Sequence, residues 1–363
     1  MNRILRSRAV AALTSPHGVD RYLEQLNPMW AAHEVRARVV SIHREVDVAG
    51  HPAVATLTLQ PTSTWQGHRA GQHVQVGVEV DGARRTTRVF SISSPESRTG
   101  DRFTITLRAN PDAPERQGVS RFLVERARPG QMLHLSQAAG EFVLPDHVPE
   151  HLLMISGGSG ITPVMSMLRT LQRRTHRGRV TFLHYAQSPE HQIFAAELDD
   201  IRRSGHGIDV HLLHPELGDP NLSPAFLERL VPGYREVPTW ACGPAPMVEA
   251  VRAAYDGSDA LRVEYFKPPL TRSDGATGAG GGDVAFERSG VSGENTGATL
   301  LEQAEALGLK PEYGCRMGIC FSCTSRKTEG TVRNVLTGVE SSLPGEDIQI
   351  CVNAPVGDCA VEL

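Results

Sequence analysis

Four cysteines carry the most specific chemistry in this chain. Cys315, Cys320 and Cys323 follow the spacing C-x4-C-x2-C, and Cys351 comes after a further 27 residues. Thiolates at these intervals are the plant-type pattern for holding a 2Fe–2S cluster. Such a loop must wrap closely around the inorganic sulfides and point backbone N–H groups at them. Gly314 and Gly318 permit the approach, and Arg316 places positive charge beside an anionic centre. A structural zinc site is the competing reading, although zinc knuckles favour paired C-x2–4-C units. Cys359 falls outside the pattern and reads as a core residue.

Three further runs have residue types suited to holding phosphates and rings. GGSGITP (157–163) follows an apolar strand and opens a helix, where backbone N–H groups and the helix dipole favour a pyrophosphate. Gly157, Gly158 and Gly160 let phosphates come close, and Thr162 can cap the helix or bond an oxygen. ACGPAPM (241–247) ends a later strand, and ligands of open parallel sheets sit at such strand ends. There Cys242, before Gly243 and Pro244, has two open readings: contact with a nicotinamide ring, or buried packing. Arg88-Val89-Phe90-Ser91 lies in a strand whose alternation puts Arg88 and Phe90 on one side and Ser91 on the other. A guanidinium beside an aromatic suits a phosphate and a stacked ring, while a surface Arg next to a core Phe is the plainer alternative. Gly118-Val119-Ser120-Arg121 opens a helix with a glycine and a hydroxyl, a second candidate phosphate seat.

The elements that must position these residues fall into three regimes. Residues 35 to about 147 alternate as short strands, VRARVVSIHREV, AVATLTLQP, HVQVGVEV, TRVFSISS and RFTITLRA, which predicts an antiparallel barrel. Residues 148–267 change to strand–helix–strand: HLLMIS, a helix over 163–174, RVTFLHYA, a polar helix near 190–204, IDVHLLH, a helix from Ser223–Pro224, TWACG, a helix over 245–255 and LRVEYF. That rhythm predicts a parallel sheet covered by helices. Residues 268–282 are rich in Gly, Ser, Thr and Ala and predict a flexible linker. Residues 283–363 open with a strand and a helix before the cysteine loop, and residues 1–34 form an extension with one short helix ending before Pro28. The extension reads as a helical decoration on the barrel, with a membrane-surface or partner contact as the alternative.

Composition sets the outer bounds. The net charge of −4 gives no reason to expect a nucleic-acid partner, and no helix-turn-helix or basic stripe appears. Residues 283–363 hold twelve Asp/Glu against six Lys/Arg, so an acidic tail follows a slightly basic body. That asymmetry suits electrostatic docking, or simply a soluble surface. No stretch approaches the ~20 apolar residues of a membrane span, and the arginine-bearing N-terminus lacks a signal-peptide core. A cytoplasmic monomer is expected.

In this order, RVFS, GVSR, GGSGITP and ACGPAPM resemble the motifs of the ferredoxin–NADP reductase superfamily, over about residues 35–363. The appended C-terminal ferredoxin resembles the reductase components of multicomponent oxygenases, such as phenylacetyl-CoA epoxidase reductase. TSPHGVDRYLEQLNPMW and the run up to GQHVQVGVEVDG are similar to the electron-transfer partners of membrane acyl-CoA desaturases, the stearoyl-CoA desaturase partner among them. The resemblance implies a six-stranded FAD-binding β-barrel, an α/β NAD(P)-binding domain and an α+β β-grasp 2Fe–2S domain. It implies that Arg88 binds flavin phosphates, Phe90 stacks on the ring and Ser91 bonds the ring nitrogen that receives hydride. Phe90 stands where the family usually has Tyr, so stacking survives and a hydroxyl contact is lost. Gly118, Val119 and Ser120 would hold the FAD pyrophosphate. Gly157, Gly158, Gly160 and Thr162, with Cys242, Gly243 and Pro244, would hold the nicotinamide cofactor. Glu264-Tyr265-Phe266 matches a segment near the flavin, which places Glu264 beside Ser91 and Cys242 among candidate catalytic residues and Phe266 among cofactor contacts. The implied route runs from NADPH to FAD, to the cluster and to an external oxygenase or desaturase. NADH stays possible, because HYAQSPE (184–190) offers neither an acid directly after the strand nor an arginine. A reductase for a soluble or Rieske-type aromatic oxygenase and a cluster-based redox sensor are the alternatives.

Overall fold

The computed structural model describes residues 5, 7, 10, 13, 14, 18–79, 85–110, 118–205, 207–265, 281–314, 316, 318, 323–336 and 338–363. The chain divides into two compact units, Met1–Glu264 and Tyr265–Leu363. The predicted linker falls almost wholly outside the described residues, as do Phe266, Cys315 and Cys320.

The first unit begins with helix α1 (Val19–Leu26), followed by the strands β1 (Val35–Val46), β2 (Val54–Pro61), β3 (His73–Val78), β4 (Thr86–Ser91), β5 (Phe103–Arg108) and β6 (Met132–Leu135). They form an antiparallel sheet in the order β4-β3-β6-β1-β2-β5, and a bridge between Ile92 and Ile105 brings its two edges together. The period-two alternation of β2 explains the closure: Leu57 and Leu59 turn into a core with Trp65, Phe103 and Ile105. Trp65 stacks on Phe103 with ring centroids 4.7 Å apart. Five of these strands are legible in the alternating runs. The sixth, β6, is four residues long and gives too little alternation to find. Helix α2 (Val119–Glu125) follows β5 with Gly118 at its N-cap.

The second half of this unit is a parallel sheet, β11-β10-β7-β8-β9, built from β7 (His151–Gly157), β8 (Arg179–Tyr185), β9 (Ile208–Leu213), β10 (Thr239–Gly243) and β11 (Leu261–Tyr265). The intervening helices are α3 (Ile161–Arg173), α4 (Ala195–Ser204), α5 (Pro224–Leu230) and α6 (Ala245–Ala254). Ser223 caps α5 by accepting from the Phe226 N–H at 3.2 Å, as the Ser-Pro pair predicts. The polar helix expected near 190–204 is interrupted: a 3-10 turn at Pro189–His191 precedes α4, and Phe194 between them is left-handed at φ +58°. That conformation seats the buried Phe194 ring under Arg169, whose guanidinium lies 4.4 Å from the ring centre.

The second unit contains β12 (Asp283–Phe286), β13 (Val291–Glu294), α7 (Leu300–Ala306), β14 (Thr324–Asn334), β15 (Glu340–Ser341), β16 (Glu346–Gln349) and β17 (Asn353–Val361). The strand order is β13-β12-β17-β14-β15, with β16 also on β14 and with β12 parallel to β17. Thr299 and Glu302 form a reciprocal capping box at the start of α7. Phe286, Leu300, Leu301, Val332 and Ile350 fill the core, where Cys359 is also buried. The barrel, the parallel α/β sheet and the α+β third part agree with the predicted multidomain fold class.

Candidate functional site

Two strand ends from the barrel and two from the parallel sheet supply the first cluster of reactive groups. In the β3–β4 pair, Arg88 lies opposite Val76, Phe90 opposite Val74 and Ser91 opposite His73. Ser91 is buried while Thr86 to Phe90 are all half-buried, so burial along β4 does not alternate between the two predicted sides. The His73 ring packs on Gly140, where a Cβ would lie 2.8 Å from Nδ1. His73 Nδ1 is 4.0 Å from Glu264 Oε1, on β11. Both groups are buried, Glu264 with 15% of its side chain exposed, and neither His73 Nδ1 nor Glu264 Oε2 has a hydrogen-bond partner among the described residues. Burial pushes the Glu264 carboxyl up to about 8 and the His73 imidazole down to about 4, so at neutral pH the pair is uncharged. Cys242, at the end of β10, is fully buried. Its thiol is pushed up by burial first and by the Glu264 carboxylate second. The structure thus gathers Ser91, Cys242 and Glu264 at one seam and adds His73.

A cavity of about 450 Å³ opens beside this seam, lined by Arg108, Gly157, Gly158, Tyr185, Gln187 and His191 among others. Gly158 is left-handed at φ +53° in the 3-10 turn that leads into α3. The other two glycines are required by packing. A Cβ on Gly157 would meet Met247 Sδ at 2.7 Å, and one on Gly160 would fall on the Cys242 carbonyl. Thr162 does not cap α3; it lies inside the first turn, with Oγ1 donating to the Ser159 carbonyl at 3.0 Å. The Tyr185 hydroxyl and His191 Nε2 are buried without partners among the described residues, as expected where a polar ligand completes the site. Ser120 Oγ accepts from the Asn110 N–H at 3.2 Å, which fixes the start of α2.

In the second unit, Thr324 on β14 pairs with Gln349 on β16, so Cys323 and Cys351 flank one rung of the sheet. The Ile350 N–H donates to the Cys323 carbonyl at 3.2 Å, and both cysteines are buried. Arg316 and Gly318 in the preceding loop are left-handed, at φ +58° and +74°. Two buried cysteines in one core cluster, with left-handed backbone at Arg316 and Gly318, fit a thiolate-held cluster. The guanidinium of Arg316 is 3.9 Å from the Tyr313 ring centre and pairs with Glu305, which offsets the positive charge expected beside the cluster.

Comparison with known proteins agrees with this geometry. Residues 154–253 match the oxidoreductase NAD-binding domain and residues 286–354 the 2Fe-2S iron-sulfur cluster binding domain. The chain is 36% identical to a Mycobacterium tuberculosis NADPH oxidoreductase, over 98% of this chain and 91% of that protein. It belongs to the ferredoxin–NADP reductase superfamily, in the branch with a C-terminal 2Fe–2S domain. A stachydrine N-demethylase reductase subunit of Rhizobium meliloti is 29% identical over 86% of this chain and 93% of its own. The fold matches phthalate dioxygenase reductase with a TM-score of 0.59 at 22% identity, covering 90% of this chain and 97% of that one. This reductase is an NAD(P)H-dependent electron-transfer oxidoreductase, and its cofactors are FAD and a 2Fe–2S cluster.

Two residues of the candidate site carry no local sequence signal. His73 gave no signal beyond its place in a strand, because its partner lies on β11. Arg108 ends β5 and lines the cavity, far along the chain from the segment after β8 where a ribose contact is expected.

Proposed function

We propose that this reductase carries electrons from NADPH to an external oxygenase, a membrane acyl-CoA desaturase or hydroxylase. The observation that carries the donor side is the seam, where Ser91 and His73 of the barrel meet Cys242 and Glu264 of the parallel sheet beside a nucleotide-sized cavity. NADPH is favoured by Arg108 in that cavity, by the lack of an acid directly after β8, and by the name of the mycobacterial relative. The acceptor reading rests on the N-terminal likeness to desaturase partners. Domain limits of 35–147, 148–267 and 283–363, around an extension at 1–34 and a linker at 268–282, complete the proposal, with a cytoplasmic setting. No helix among the described residues is long and apolar enough to cross a membrane.

Bound FAD and the 2Fe–2S cluster supply hydride acceptance and one-electron transfer. The chain's own residues supply placement. Arg88, Gly118, Val119 and Ser120 hold the flavin phosphates, while Val89, Phe90 and Ser91 shape the seat of its ring. Gly157, Gly158, Gly160 and Thr162 set the turn that receives the nucleotide pyrophosphate, at the start of α3. Cys242, Gly243 and Pro244 bound the nicotinamide side, and Phe266 contributes a cofactor contact near the flavin. Glu264 is held protonated at neutral pH and keeps a proton within the seam next to His73 and Ser91. Cys315, Cys320, Cys323 and Cys351 ligate the irons.

A second reading, supply of a soluble or Rieske-type oxygenase, is favoured by the names of the demethylase and dioxygenase reductases. Reconstitution with a candidate desaturase and with a Rieske oxygenase distinguishes the two. A first test is the visible spectrum of the purified protein, titrated separately with NADPH and NADH. Flavin bands without cluster absorbance would refute the route, and negligible NADPH oxidation with ferricyanide would leave the cluster-based sensor.

A further inference from the structure

Helix α7 departs from one local rule and the cysteine loop from another, and a single ion pair joins the two. α7 carries an acid near each end. Glu302, in the first turn, belongs to the capping box, where the helix dipole favours a carboxylate. Glu305 lies in the last turn, where the dipole opposes one and the helix offers no basic residue. Arg316, in the loop beyond, is left-handed at φ +58°, a region that disfavours any residue with a Cβ. Its guanidinium pairs with the Glu305 carboxylate and lies over the Tyr313 ring, 3.9 Å from the centre. Departures of this kind persist only where the surrounding structure holds them, and here each supplies the other's partner.

The pair borders the cysteine set. Arg316 follows Cys315 directly. At its other end α7 gives the Leu301 N–H to the Ile350 carbonyl at 2.9 Å, next to Cys351. Leu301 and Ala304 share one core with Cys323 and Cys351. Gly318 is equally close: a Cβ there would lie 2.9 Å from Val352 Cγ2, on the far side of Cys351. One helix is thus bonded to the neighbours of both the first and the last cysteine of the set. Charge decides what the pair does there. Reduction adds one negative charge to a 2Fe–2S cluster, which a guanidinium beside a ligand favours and a nearby carboxylate opposes. We propose, on the reading that Cys315, Cys320, Cys323 and Cys351 ligate the irons, that Glu305 is a positioning residue that sets the cluster's reduction potential. It holds Arg316 in place and offsets that cation, which keeps the reduced cluster a stronger donor to its acceptor.

The test is the reduction potential of the full holoprotein, followed by the electron-spin signal of the reduced cluster in a mediated titration at fixed ionic strength. Glu305→Gln should raise the potential and Arg316→Gln should lower it. Each shift should change the reduced-to-oxidised ratio about three- to tenfold, which is about 28–59 mV for one electron. The double variant should return close to the wild type. The Arg316 and Glu305 side chains are 33% and 31% exposed, so both shifts should shrink as salt is added. Glu305→Asp keeps the charge and should hold the cluster near the wild-type potential, including where Glu305→Gln loses it. A brace with no electrostatic part would move both single variants the same way or neither. Unchanged potentials with the cluster signal intact, shifts of one sign, or a Glu305→Asp potential displaced as far as that of Glu305→Gln would overturn this proposal alone. Lack of the cluster signal in the wild type would overturn the ligand reading and the proposal with it.

Discussion

Replacing Glu264 by Gln should make the Met1–Glu264 unit more stable, and only on the alkaline side. Burial raises the Glu264 carboxyl from 4.5 to about 8. Because the folded value lies above the unfolded one, the native chain keeps a proton that the unfolded chain has already lost. The group's contribution is therefore fully present below pH 4.5, falls through the window up to about 8 and is level above it. At about 1.4 kcal/mol per pH unit, the full loss is about 5 kcal/mol. Glutamine has nearly the same shape and cannot ionise, so the variant escapes this loss. His73, depressed to about 4 by burial, has the opposite sign: its contribution is present above the usual imidazole range and is lost as the pH falls toward 4. It is common to both chains and cancels in their difference. Urea unfolding followed by tryptophan emission is the assay, since Trp30, Trp65 and Trp240 all lie in this unit. The difference between variant and wild type should be near zero at about pH 4 and grow to several kcal/mol by about pH 9. Parallel curves across that range would refute the buried, protonated carboxyl.

Three further outcomes follow from the same geometry. Arg108→Ala should raise the KM for NADPH about tenfold with little change in kcat, read from steady-state ferricyanide reduction, because it removes a cation that binds without reacting. Gly160→Ala should cost about 1–3 kcal/mol and lower the Tm, because its methyl group falls on the Cys242 carbonyl and the two strand-end turns must part. Cys323→Ser should abolish the cluster's visible absorbance and electron-spin signal while the flavin bands and NADPH-to-ferricyanide turnover persist.

What the sequence made legible was whatever depends on local pattern. Period-two alternation marks the barrel strands in the sequence, most clearly in β2, where alternate residues are half-exposed, and the change to strand–helix rhythm marks the parallel sheet. The Ser223-Pro224 cap was visible because a cap is a contact three residues long. Long-range pairs left no such trace. Gly157 and Gly160 read as phosphate glycines, yet Met247 and the Cys242 carbonyl, both far along the chain, already forbid a side chain at either position. The 4.0 Å approach of His73 to Glu264 joins the second strand pair of the barrel to the last strand of the sheet. Nothing near either residue announces it. Arg316 is a cation in the cysteine loop by sequence alone, while its pairing with Glu305 on the preceding helix leaves no local trace.

The seam itself is held by one helix. Ser166 on α3 donates to the Ser94 carbonyl at 2.6 Å and accepts from the Gly71 N–H at 3.3 Å. Thr170 accepts from the Glu96 N–H at 3.0 Å, and Arg173 and Arg174 bond the Glu96 carbonyl and carboxylate, each at 2.7 Å. Trp240 adds a bond from β10 to the Val143 carbonyl at 3.1 Å. The 3-10 turn that leads into this same helix lines the cavity through Gly158. A shift of the parallel sheet against the barrel would therefore have to break polar bonds along α3 while moving the glycine turn beside the cavity with it. Hydride transfer demands such fixity, since misplacement by about 1 Å can cost a hundredfold in rate. Single-electron transfer has no comparable directional bond to make, which is why the cluster can reside in a separate unit while Ser91, Cys242 and Glu264 must share one.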